Sequence, residues 1–273
     1  MKETFLRGLS GLVYIALLLL SFLNEHTLIL IFFIFGLICI SEFKKLVQLK
    51  HWSPYLIFTI IYFVFGYWKI FVNSTYGLDV ATQILQVITI FVLLFLIKDL
   101  FSEKTIPLFD FKKYILTTFY LSSAFVFLPL ITKYDGFFDV SILLGSFILI
   151  WVNDSAAYFV GKNFGKQKLF PSVSPKKTVE GFLGGIFFAC VASFFISLYT
   201  YDVSFNSWLI LSIIVSTTGT IGDLIESKFK RQANVKDSGT IMPGHGGLLD
   251  RLDSIIFAAP FIYLFLRILR HVS

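Results

Sequence analysis

Long apolar runs dominate the chain and are separated by short polar stretches. They cover about residues 8–23, 27–40, 54–72, 80–97 and 114–131, then 140–160, 178–199, 207–224 and 254–269. An α-helix needs about 20 mostly apolar residues to cross a bilayer core. Most of these runs hold no acid or base, and a helix satisfies its own backbone hydrogen bonds where water is absent. The pattern predicts an all-α, polytopic integral membrane protein with about nine transmembrane helices. Among the first five runs only the third is interrupted by a charge, Lys69.

Charge bias tests that third run. With nine spans, the N-terminal side collects every Lys and Arg except Lys69, Lys133, Arg267 and Arg270. Omitting the run would scatter bases over both sides. Cytoplasmic loops carry the excess of Lys and Arg, so the N-terminus is expected in the cytoplasm and the C-terminus outside.

Composition agrees. Of 273 residues, 56% are hydrophobic, 34 are Phe and only 15% are charged, against about 25% charged in soluble domains. This excludes disorder, a disulfide scaffold and a large extramembrane domain. The net charge of +6 reads as loops facing anionic lipid, with no nucleic acid implied. Cys39 and Cys190 lie in apolar runs and read as small core residues. Lys2 and Arg7 precede the first run as in a signal peptide, but no small-residue cleavage site follows. A retained span is expected.

The two halves differ. Residues 1–135, with about five helices, have no acid expected inside and read as a lipid-facing scaffold. Residues 136–273, with about four helices, carry Asp154, Glu180, Asp223, Glu226 and Asp253 within or beside their apolar runs. Ionisable groups at membrane depth are costly and mark function.

Three segments hold the chemistry. Asn153-Asp154-Ser155 brings polarity into the sixth run, as a carboxylate facing a cavity or a helix-packing contact. Ser174-Pro175-Lys176-Lys177-Thr178 leads to Glu180 and Gly181. Pro175 suits a first helical turn and Ser174 its N-cap, so two lysines at a helix start form an anion site; snorkelling to lipid is the alternative. Gly181, Gly184 and Gly185 suit close helix packing.

The third segment is the richest. Asp223, Glu226, Lys230, Arg231, Lys236 and Asp237 lead through Gly239 and Gly244 to His245, Gly246, Gly247, Asp250, Arg251 and Asp253. Acids thus bracket a basic, Gly-rich loop between the eighth and ninth runs. Mg²⁺ takes one or two carboxylates plus phosphates, bases neutralise phosphate charge, and glycines admit backbone N–H groups. Asp250 and Asp253 share a helix face. Zinc is not expected, because no Cys or second His accompanies His245.

This segment resembles the signature of the phosphatidate cytidylyltransferase (CDP-diacylglycerol synthase) family. That signature runs Ser-x-apolar-Lys-Arg, four residues, Lys-Asp, then a His-Gly-Gly stretch ending in Asp-Arg-apolar-Asp. Ser227, Phe229, Lys230, Arg231, Lys236, Asp237, His245, Gly246, Gly247, Asp250, Arg251 and Asp253 fill its places. Met242 departs from it, standing where Leu, Ile or Phe is usual before the Pro. The stretches 174–181 and 154–158 match as well.

The resemblance implies that CTP and phosphatidate give CDP-diacylglycerol and pyrophosphate, with Mg²⁺ required and a second cation left open. By the same resemblance Asp223 and Asp250 are the expected metal ligands. Lys176, Lys177, Lys230 and Arg231 would bind phosphates, while Ser174 and His245 would donate hydrogen bonds near the transferred group. Lys236, Gly246, Gly247 and Arg251 belong to the expected substrate site. Asp154, Glu180, Glu226, Asp237 and Asp253 would pair with bases or hold metal-bound water. Asp223, Asp250, Lys230, Arg231, His245 and Asp253 form the expected catalytic set.

A phosphomonoester is already mostly ionised near pH 7, with a second pKa of about 6, so no strong general base is needed. A CTP-dependent lipid kinase would need one beside its alcohol, and nothing singles one out. The Asp-x-x-Asp-Gly-x-x-Ala-Arg run of CDP-alcohol phosphotransferases is absent. A transporter would carry internal repeats and midplane charges, whereas these polar groups gather at one edge. The expected setting is a bacterial inner membrane; Gly-rich helices are compatible with a homodimer.

Overall fold

The structure, a computed structural model, describes residues 2–72, 75–102, 104–200 and 203–272; the side chains of Lys2, Arg7 and His271 lie outside the described residues. Each of the nine apolar runs is a helix. They are α1 (Lys2–Ser21), α2 (Glu25–Leu46), α3 (Ser53–Phe71), α4 (Tyr76–Phe101) and α5 (Asp110–Ile131). After α6 (Ser141–Phe164) a short antiparallel hairpin, β1 (Lys168–Phe170) and β2 (Ser174–Thr178), leads into α7 (Val179–Ser197). Then come α8 (Phe205–Gln232) and α9 (Leu249–Val272). Helices α2 to α9 are each long and apolar enough to cross a membrane, and Gly8–Ser21 is a shorter apolar stretch. The chain is a multi-pass, all-α membrane protein.

Local sequence explains the helix starts. Asn24 and Thr27 form a reciprocal capping box at α2. Thr75, Thr178 and Ser204 accept backbone N–H groups at α4, α7 and α8, a contact usually worth about 1 kcal/mol. Wider turns interrupt α3 at Tyr62–Trp68 and α5 at Leu116–Ser122, π-type bulges of the kind that shift side chains round a helix.

Burial divides the helices. α5 runs through the interior, where Tyr120, Leu121, Phe125, Phe127 and Leu128 have no exposed surface. α9 lies beside it and buries Ile256, Phe257 and Ile262. By contrast, Phe91 and Phe95 on α4 and Phe187, Phe188, Phe194 and Phe195 on α7 point outward. Apolar exposure on this scale is a liability in water and the requirement in lipid.

Helices α6 and α7 approach closely because glycine faces small or polar groups. A Cβ on Gly185 would come within 2.6 Å of Asn153 Oδ1, and one on Gly181 within 2.7 Å of the Ala157 carbonyl. The packing role expected of these glycines is the one seen.

Three expectations need correction. Ser174 does not cap a helix: residues 174–178 are strand, and Thr178 caps α7 by accepting from Gly181 N at 3.1 Å. Helix α8 does not end with its apolar run but continues to Gln232, and α9 starts at Leu249. Lys228, Lys230 and Arg231 are therefore helical, not loop. The N-terminal half does hold a buried acid, Glu42, which is 4% exposed.

Candidate active site

The last turns of α8 place Asp223, Glu226, Ser227 and Lys230 on one face, since residues three and four apart are helical neighbours. The first two turns of α9 add Asp250 and Asp253. One oxygen each from Asp223, Glu226 and Asp253 lies within 4.8 Å of the others. Glu226 is fully enclosed and Asp253 is 8% exposed. At that separation two like charges repel by about 3 kcal/mol at an effective dielectric of about 20.

Two lysines offset this charge. Lys177, from the end of β2, puts Nζ 2.5 Å from Asp223 Oδ2. Lys230 pairs with both Glu226 and Asp250, its Nζ donating to Asp250 Oδ1 at 2.7 Å. Among the described residues, neither oxygen of Glu226 has a hydrogen-bond partner beyond this ion pair. A buried carboxylate so poorly satisfied, with two more beside it, suits a hard cation with oxygen ligands.

Asp250 stands apart from that trio. Its Oδ2 accepts from Ser238 N (2.9 Å), Ser238 Oγ (2.9 Å) and Gly247 N (2.7 Å). The carboxylate thus ties the loop after α8 to α9. The expected ligand pair Asp223 and Asp250 is divided here, with Asp223 among the clustered oxygens and Asp250 behind Lys230. Gly246 makes the turn possible: its φ is +88°, and a Cβ would lie 2.7 Å from Asp250 Oδ2.

Glu42, on α2, holds the same loop from the other side. It accepts from Leu248 N at 3.1 Å, Leu249 N at 2.8 Å and Ser238 Oγ at 3.4 Å. The first two are orphan donors at the start of α9, and an acid there also meets the positive end of the helix dipole. Sequence reasoning missed it, although an acid within an apolar run was the signal used for the others.

Helix α1 also reaches the site. Ser10 Oγ lies 2.9 Å from His245 Nδ1 and donates to the Pro243 carbonyl at 3.1 Å. Arg251 donates to the His245 carbonyl from Nη2 at 2.7 Å and from Nε at 3.2 Å. Gly11 and Tyr14 of α1, Asp154 of α6, and His245, Asp250 and Asp253 share one cavity of about 400 Å³. Trp151 and Ser155 line both this cavity and an apolar groove of about 560 Å³ between α6 and α7.

Other expected residues lie further out. Glu180 accepts from Gln167 N at 3.1 Å. Arg231 donates to the Val235 carbonyl at 3.1 Å, closing the end of α8. Lys176, Lys236 and Asp237 are exposed, Ser174 and Gly246 half-buried, and Gly247 buried.

Comparison with known proteins adds the following. The Cytidylyltransferase family matches residues 5–269. The phosphatidate cytidylyltransferase of Bacillus subtilis (strain 168) is 36% identical over 271 residues, covering 97% of each chain. That of Staphylococcus aureus (strain COL) is 47% identical over 126 residues, 45% of this chain and 48% of its own. That of Staphylococcus haemolyticus (strain JCSC1435) is 44% identical over 137 residues, 50% of this chain and 51% of its own.

Proposed function

The chain belongs to the cytidylyltransferase family, and from that premise we propose that it converts CTP and phosphatidate into CDP-diacylglycerol and pyrophosphate. One observation carries the reading: three clustered carboxylates, two of them paired with lysines, beside a cavity that borders an apolar groove. A phosphatidate oxygen attacks the α-phosphorus of CTP, the bond to the bridging α–β oxygen breaks, and pyrophosphate leaves. The nucleophile arrives ionised, so the protein's work is to align two polyanions and neutralise their repulsion.

Asp223, Glu226 and Asp253 are the residues that would hold Mg²⁺. When bound, the ion supplies positive charge to the reacting phosphates. Asp250 acts through Lys230, holding its ammonium at the edge of the acid cluster, while Lys177 offers a second positive charge from the hairpin. Arg251 sets the carbonyl and ring of His245 toward the cavity. Phosphatidate tails fit the apolar groove along α6 and α7, leaving the headgroup to turn in past Trp151 and Ser155. Since CTP is a cytoplasmic nucleotide, the acid cluster faces the cytoplasm, as the charge bias of the loops also indicates. In a bacterium that is the inner face of the cell membrane. Neither a second cation nor a homodimer is needed for this scheme.

The test is a defined assay. With detergent-purified protein, labelled CTP, phosphatidate and Mg²⁺, the products are expected to be CDP-diacylglycerol and pyrophosphate. Release of CDP instead would indicate a kinase, and no turnover would sink the reading. Asp223→Asn, with the fold intact by thermal melting, should lower kcat on the order of 100-fold or more, the scale of losing one electrostatic contact to a transition state. A near-normal rate would remove Asp223 from the metal site.

A further inference from the structure

The opposite end of the bundle holds a second charged cavity that the reaction does not use. It has a volume of about 700 Å³, and Lys69, Lys133, Arg267 and Arg270 all line it, along with Asp79 and Tyr263. These four are the bases that the charge bias leaves on the far side. Asp253 and Arg267 stand near the two ends of α9, so at 1.5 Å per residue the two sites are about 21 Å apart.

The cavity is assembled from distant parts of the chain. Lys69 ends α3 and pairs with Asp79 of α4 at 2.8 Å, and Lys133 follows α5 and pairs with Glu25 of α2 at 2.8 Å. Arg267 Nη1 donates to Gln86 Oε1 at 2.8 Å, and Gln86 Nε2 in turn donates to the Pro260 carbonyl at 3.2 Å. Arg270 Nη1 donates to the Tyr134 carbonyl at 3.0 Å. The two arginines thus donate to uncharged acceptors. The lining carries four bases and one acid, Asp79, and Glu25 outside it pairs with Lys133. Apolar side chains, Ile70 and Leu130 among them, complete the wall.

Two planar guanidiniums and two ammonium groups gathered at a membrane edge match the geometry and charge of a phosphate group. We propose that this cavity binds a phosphate-bearing anion, either the headgroup of an anionic phospholipid in the leaflet opposite the acid cluster or a free phosphate. Occupancy would relieve repulsion among the four bases and join the ends of α3, α4, α5 and α9.

The experiment is a binding measurement by native mass spectrometry on the full chain in detergent. The probes are dioctanoyl phosphatidylglycerol, dioctanoyl phosphatidylcholine and inorganic phosphate. Phosphatidylglycerol binding at least tenfold tighter than phosphatidylcholine assigns a lipid headgroup, and inorganic phosphate binding as tightly as phosphatidylglycerol assigns a free anion. Each base near a membrane surface contributes about fivefold to attraction of anionic lipid. Arg270→Gln, an exposed position, should therefore weaken binding about fivefold, and the double variant with Arg267→Gln further. Asp223→Asn should leave this affinity unchanged, which separates the cavity from the reaction site. No binding of either anionic probe, or wild-type affinity in Arg270→Gln, would overturn the proposal, and neither result bears on CDP-diacylglycerol synthesis.

Discussion

At the scale of single residues, the buried acids divide into those that repel one another and one that restrains. Glu42 belongs to no cluster of ligand oxygens, yet two backbone N–H groups and the Ser238 hydroxyl converge on it. Glu42→Gln keeps the shape but turns an amide donor toward those donors. Leaving a buried group unsatisfied costs about 1–3 kcal/mol, so Tm in detergent and kcat are both expected to fall. An unchanged melt and rate would reduce Glu42 to a bystander. Asp154, Asp223, Glu226 and Asp253 were legible as chemistry because an acid within an apolar run needs a reason. Glu42 carries the same signal, but Lys44 and Lys45 follow it, and a mixed-charge stretch at a helix end reads as a solvated boundary. Its partners lie 196 to 207 residues away, and no local pattern announces them.

Among elements, the apolar runs located every helix but not every helix end. The membrane sets the length of a run, whereas hydrogen bonding and propensity set the length of a helix. Glu, Lys, Arg and Gln are good helix formers, so α8 continues beyond the apolar region through Glu226 and Lys230 to Gln232. That extension brings the acids and Lys230 to a common face. The hairpin was hidden for a related reason: Ser-Pro before lysines is a fair helix start, and only pairing with Lys168–Phe170 makes it a strand. The glycines of α7 carry a prediction at this scale. Gly185→Leu would force its side chain into Asn153 and Ala157, and overpacking typically costs about 1–3 kcal/mol. A lowered Tm is expected, with loss of activity as α6 carries Asp154 away from α8. If Gly185→Leu melts like the wild type, the close approach of α6 and α7 has no energetic weight.

For the whole molecule, nine crossings would put the termini on opposite sides of the membrane; the acid cluster and the second cationic cavity stand at opposite ends of α9. A reporter active only outside the cell should work when fused after α9 and fail when fused before α1. The same result at both ends would remove one crossing and reverse part of the assigned sidedness. Sequence made the apolar helices and the multi-pass architecture legible, since both are sums over many residues. It did not reveal that α1 and α2 help build the site assigned to the other half of the chain, because that depends on which helices meet.

Those long-range meetings bear on biogenesis. Ser10 reaches His245, and Glu42 reaches Leu248 and Leu249, so helices made early along this stretch of chain are partnered with segments made more than 200 residues later. Until α9 has been synthesised, Glu42 lacks those partners. A nascent chain arrested before Leu249 therefore has most of its helices and no assembled centre, which makes the synthesis of α9 the step that completes the site.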